Sequence, residues 1–127
     1  ELNEMCAWVV EHLGPDVPMH FTAFHPDWKM RNISSTPPAT LTRARRIALD
    51  NGVRYPFTGN VHDDKGSSSY CHNCNALLIE RDWYQLGHWG LTPDGRCTSC
   101  GTPLPGHFDA APGQFGSKRI PVRLSSV

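Results

Sequence analysis

Four cysteines constrain this chain more than any other feature. They stand as two pairs, Cys71-x2-Cys74 and Cys97-x2-Cys100, with 22 residues between the pairs. A Cys-x2-Cys segment on a tight turn aims two thiolates at one centre, and two such knuckles joined by a hairpin make a tetrahedral four-sulfur site. Gly101, directly after the second pair, suits the tight turn of a knuckle. No charged segment followed by an apolar stretch opens the sequence, so a reducing, cytoplasmic setting is expected and a metal is favoured over two disulfides. Zinc is the default ion. Iron in a rubredoxin-like site uses the same knuckles, and spacing does not separate the two. Four thiolates close the site, so its role is structural, or electron transfer with iron.

The composition explains why such a staple is needed. Of 127 residues, 11 are Gly and 11 are Pro, many of them in the C-terminal half. A loop-rich segment of that size buries too little apolar surface to hold itself together. Residues 63–127 therefore read as a small β-rich metal module, zinc-ribbon or rubredoxin-like. Leu77–Tyr84 is strand-like, Thr92-Pro-Asp-Gly95 is a turn, and the tail from Gly106 to Val127 is expected to lie over the surface. Trp83, Tyr84 and Trp89 are expected in the ribbon core. Twelve Lys+Arg balance twelve Asp+Glu, which argues against broad capture of nucleic acid. Mean hydropathy is −0.43, and no apolar run of ~18 residues could span a membrane.

Residues 1–62 read differently. Leu2, Met5, Cys6, Val9, Val10 and Leu13 form one helical stripe, ended by Gly14-Pro15, with Cys6 as a packing residue. Val17–His25 has bulky residues at both parities and predicts a strand buried on both faces, as in parallel sheets. Thr36 is the expected N-cap of a helix with Pro37 and Pro38 in its first turn and Leu41, Ala44, Ile47 and Ala48 inward. Gly52 follows as its C′ residue, and Val53–Thr58 is a second strand. The order α-β-α-β makes the two strands parallel. Two such strands do not finish a domain. The chain, which opens at Glu1 without an initiator Met, is expected to be a homo-oligomer or to lack an N-terminal portion.

In parallel α/β folds chemistry gathers at the C-terminal strand ends. His25 and Asp27 follow the first strand; Asn60, His62 and Asp63 follow the second. These residues are candidates for one rim site, with His25 and His62 as the chemical groups, Asp27 or Asp63 supporting, and the loop Arg31–Thr36 closing over it. Two His and a carboxylate there could hold a second metal. Phosphate-loop, GxSxG and HExxH signatures are absent from the sequence.

The strings Met19-His-Phe-Thr-Ala-Phe-His-Pro-Asp-Trp-Lys-Met30, Thr36-Pro-Pro-Ala-Thr-Leu41, Tyr55-Pro-Phe-Thr-Gly-Asn60 and Tyr70-Cys-His-Asn-Cys74…Leu78-Ile-Glu-Arg81 resemble the AmmeMemoRadiSam-system radical SAM enzymes, relatives of the pyruvate formate-lyase activating enzymes. The resemblance implies that residues 1–62 are the end of a partial barrel and that the rest is its Cys-rich C-terminal extension. It also implies that His25 closes a late barrel strand near SAM or a substrate peptide. The CxxxCxxC loop that holds a [4Fe–4S] cluster in that family is absent, so neither the cluster nor SAM cleavage is expected of this chain alone. Three readings stand: a metal-binding remnant or fragment of a radical SAM enzyme, a stand-alone oligomeric metalloenzyme (a hydrolase or iron-dependent oxygenase), and a rubredoxin-like electron-transfer or zinc-ribbon binding protein.

Overall fold

A computed structural model describes residues 1–114, 116–119 and 121. Helix α1 (Leu2–Leu13) ends where Gly14 takes φ 89° and donates its N–H to Val10 O at 3.2 Å. The first parallel pair joins β1 (Met19–Thr22) to β2 (Pro56–Gly59), in register from Met19↔Pro56 to Thr22↔Gly59. Helix α2 (Pro38–Asp50) is the crossover, and Gly52 follows it at φ 91°. Cys6, Ala48 and Val53 form the buried centre of this half, with Val10, Met19 and Phe21 packed around them.

Three expectations are corrected here. The strand expected over Val17–His25 has only four residues, and His20 and Thr22 are exposed while Met19 and Phe21 are half-buried. A two-stranded sheet gives β1 only one neighbour, and among the described residues no layer covers its second face. The helical stripe of α1 buries only Cys6; Met5 is 42% and Leu13 57% exposed. Thr36 does not cap α2. Pro37 holds the N-cap position without a side-chain bond, and Thr36 pairs instead with Phe24: its Oγ1 accepts Phe24 N–H at 2.9 Å and its N–H donates to Phe24 O at 3.1 Å. The long loop needed its backbone bonds satisfied, and the threonine serves the loop rather than the helix.

A single turn of helix, α3 (Asp64–Ser67), occupies the polar segment after Asn60. Asp63 caps it, one carboxylate oxygen accepting Gly66 N–H at 2.9 Å and the other accepting the Thr58 hydroxyl at 3.0 Å. The ribbon follows as β3 (Ser69–Tyr70), β4 (Leu77–Asp82) and β5 (Gln85–Trp89), antiparallel in that order. The serines tie this sheet to α3: Ser67 Oγ donates to Arg81 O at 2.8 Å, Arg81 N–H donates to Ser68 Oγ at 3.0 Å, and Arg81 Nη1 donates to Ser69 Oγ at 2.8 Å.

Trp83 and Tyr84 are not in the ribbon core. They form the β4–β5 turn, with Trp83 at φ 53° and both side chains mostly exposed. The sequence places two aromatics where the hairpin must reverse, so neither can point inward. Trp89 does pack against the core, which is built from Tyr55, Cys71, Leu78, Ile79, Leu91, Cys97 and Leu104. Tyr55 and the adjoining Phe57 come from the first half of the chain, and Arg81 lies over the Phe57 ring at 5.5 Å. The two halves therefore share a seam. Of the tail, Phe108 packs on the ribbon core; residues 115, 120 and 122–127 lie outside the described residues. Among the described residues no helix is long and apolar enough to cross a membrane.

Candidate metal centre

The two cysteine pairs sit on turns with the same hydrogen bonds. In the first, Asn75 N–H donates to Cys71 O at 2.8 Å and Cys71 N–H to Ala76 O at 2.9 Å; in the second, Gly101 N–H donates to Cys97 O at 2.8 Å and Cys97 N–H to Thr102 O at 2.9 Å. The residue after each second cysteine is left-handed, Asn75 at φ 59° and Gly101 at φ 74°. Glycine meets that requirement without a Cβ clash, and asparagine is among the few other residues that tolerate it. Asn75 thus stands in the first knuckle where Gly101 stands in the second. The sequence marks only the glycine as a turn residue.

The paired turns bring all four Sγ atoms within 4.8 Å of one another. Cys71 Sγ lies 3.6 Å from Cys100 Sγ, and Cys74 Sγ lies 3.7 Å from Cys97 Sγ. A tetrahedron with zinc–sulfur bonds of ~2.3 Å has sulfur–sulfur edges of about 3.8 Å. The sulfur set is therefore geometrically able to hold a metal such as zinc. A disulfide would need ~2.05 Å, and all five cysteines are free.

The site is electrostatically uneven. Thr102, through its hydroxyl 3.2 Å from Cys100 Sγ and its backbone N–H, and then Asn73 Nδ2 at 3.7 Å, hold the Cys100 thiol down to about 5. Cys97 is also lowered: burial works to raise it, and hydrogen bonds from the Cys100 and Ser99 backbone outweigh that. For Cys74, a backbone bond at Ala76 works to lower the thiol. Cys100, burial, Cys71 and Cys97 together outweigh it and push Cys74 up to about 12. Four close thiols cannot all ionise without a cation among them, and a divalent metal supplies the missing positive charge. His72, within the first knuckle, is not in the four-sulfur group; its Nδ1 lies 3.2 Å from the Tyr55 hydroxyl. Cys6 is far from this chemistry, fully buried in the first half, and burial raises its thiol.

The rim residues are placed as follows. Ala23 N–H donates to Gly59 O at 2.9 Å and Asn60 Nδ2 to Ala23 O at 3.2 Å, so the two strand ends do lie side by side. His25 is exposed. Asp27 serves its own turn, accepting Trp28 N–H at 2.7 Å, and Asp63 is taken by the α3 cap. His62 finds different partners: its Nε2 lies 3.1 Å from Asp82 Oδ1 and 3.3 Å from Asp64 Oδ1. These three form the second group among the described residues with ligand atoms close enough to share a metal. His25 and Asp27 are in neither group. Asp64 and Asp82 escaped the sequence reading because they meet His62 only once the β4–β5 hairpin and α3 have formed.

Over 98 residues, 76% of this chain, the sequence is 41% identical to the uncharacterized protein MJ0808 of Methanocaldococcus jannaschii, and the match spans 29% of that protein's length. No protein-family profile matches the chain, and no solved structure matches it.

Proposed function

We propose that this chain is the metal-binding C-terminal part of a radical SAM enzyme, in which Cys71, Cys74, Cys97 and Cys100 hold one zinc ion as a structural staple. The observation that carries the metal reading is the convergence of four sulfurs within 4.8 Å, two of the separations being 3.6 and 3.7 Å. The four motif strings support the radical SAM origin. The archaeal relative, more than three times the matched length, supports a place within a larger chain, as do the half-finished sheet and the exposed apolar residues of α1. On this reading the preceding barrel, or a second copy of the chain, covers that face. Lacking CxxxCxxC, these residues do not cleave SAM by themselves; the extension stabilises and shapes the enzyme that does. Iron at the same four sulfurs would make the module redox-active.

A second reading rests on His62, Asp64 and Asp82. One imidazole and two carboxylates leave coordination positions open, as a hydrolytic or oxygen-activating metal requires. One experiment separates these readings: metal analysis and an absorption spectrum of the wild type, Cys97→Ser and His62→Ala. The structural reading expects one zinc per chain and a colourless protein, with metal lost in Cys97→Ser and retained in His62→Ala. Thiolate-to-iron bands would replace it with the redox reading, and a second equivalent lost in His62→Ala would favour the open site.

A further inference from the structure

A cleft of 740 Å³ separates α2 and the Gly52–Phe57 segment from the first knuckle and α3. That volume is in the ordinary range for a small-molecule site. Its lining is charged in one sense: Arg45, Arg54 and Lys65 contribute, and no Asp or Glu does. In a chain of zero net charge this is a local field. Walls of low dielectric focus it.

The three cations are not equivalent. Arg54 Nη1 is paired with Asp16 at 2.9 Å. Arg45 is fixed without being neutralised. Its Nε donates to Pro56 O at 3.1 Å and its guanidinium lies over the Tyr70 ring at 5.8 Å. Among the described residues no hydrogen bond engages its terminal amino groups, and no ion pair engages Lys65. A guanidinium held by its Nε and an aromatic face presents its remaining N–H groups as a ready fork, which matches the oxygens of a phosphate. The ammonium of Lys65 adds a mobile point charge from α3. Tyr55, Tyr70 and Phe57 line the same cleft, but Tyr55 is buried, the Tyr70 ring carries the Arg45 guanidinium and the Phe57 ring carries Arg81, so the phosphate contacts dominate.

We propose that this cleft binds a small phosphorylated ligand, with Arg45 and Lys65 holding the phosphate. Two unpaired cations suit one phosphate or diphosphate group. They are too few for the extended backbone track that a nucleic acid requires. Cys71, His72 and Asn73 form one wall, so the metal knuckle also shapes the pocket. The proposal goes beyond the staple role and does not rest on the radical SAM reading.

The test is calorimetric titration of the metal-loaded chain with inorganic pyrophosphate, adenosine monophosphate and adenosine. Saturable binding of the two phosphates at one site is expected, with adenosine much weaker. Lys65→Gln and Arg45→Gln should each weaken adenosine monophosphate about tenfold, the size of one charge-assisted contact, with metal content unchanged. Because Arg45 also holds Pro56 O, exposed Lys65 is the decisive variant. Absence of saturable phosphate binding overturns the proposal, as does wild-type affinity in Lys65→Gln. Binding of a single-stranded oligonucleotide without binding of adenosine monophosphate overturns it in favour of a nucleic-acid surface.

Discussion

The residues up to Asn60 and those from Ser69 to Leu104 hold themselves together by different means. The first half has regular helices and a parallel strand pair, yet its buried centre consists of Cys6, Ala48 and Val53, and Met5, Trp8 and Leu13 remain largely in solvent. The second half has short, irregular strands, yet it buries Leu78, Ile79, Leu91 and Leu104 around two knuckles whose sulfurs converge. Regular secondary structure is thus no measure of completeness. A helix and a parallel sheet each offer a face that another layer must cover. A four-thiolate site that takes up a metal needs no further layer, because the ion then replaces the missing core.

Removing the metal should have the largest effect. A structural zinc contributes on the order of 10 kcal/mol to a small fold, so a chelator should cost residues 69–104 far more amide protection than α1 and α2, which meet that core only through the Tyr55–Phe57 seam. Hydrogen exchange read by mass spectrometry checks this, and equal loss in both halves would erase the distinction drawn between them.

Core truncation comes next. Leu78, 1% exposed, should cost about 2–5 kcal/mol as Leu78→Ala, whereas Met5→Ala in the isolated chain should stay within about 0.5 kcal/mol. Denaturant unfolding measures both. A large cost for Met5→Ala would mean that α1 is already covered in solution, by another copy of the chain.

The seam between the halves has its own weak point. Gly66 sits so close to the Asp63 carboxylate and the Thr58 hydroxyl that an added Cβ would collide with both. Gly66→Ala should break the α3 cap and cost about 1–3 kcal/mol, typical of overpacking, with metal content unaffected. Its thermal midpoint compared with the wild type is the readout.

The smallest effect concerns the Thr92–Gly95 turn. The Thr92 hydroxyl at 2.6 Å, and then Arg96 Nε at 2.9 Å, hold the Asp94 carboxyl below its usual value. The folded pKa lies below the unfolded one, so the contribution is complete above the ordinary carboxylate value of ~4 and is lost as pH falls through the lowered one. The difference in thermal midpoint between wild type and Asp94→Asn should therefore be flat near neutrality and vanish in acid. Full exposure keeps it slight.

What could be read from the sequence alone was local. The Cys-x2-Cys spacing places two thiols on one turn whatever surrounds it, and the i, i+3, i+4 pattern of α1, the Gly14 stop and the Gly52 turn are set by backbone geometry within a few residues. The parallel pairing of β1 and β2 also followed, since a helical crossover between adjacent strands leaves little choice. Asn75 was legible in principle, as the counterpart of Gly101 in the other knuckle. Other features depended on segments distant in the chain. Thr36 chose Phe24 over the helix end, His62 found Asp82 across a hairpin, Tyr55 left its own half to join the ribbon core, and Arg45 was locked between Pro56 and Tyr70. Each of these is a competition among partners of similar chemistry. The winner is the group that packing brings within 3 Å or so, and that distance exists only in the folded chain.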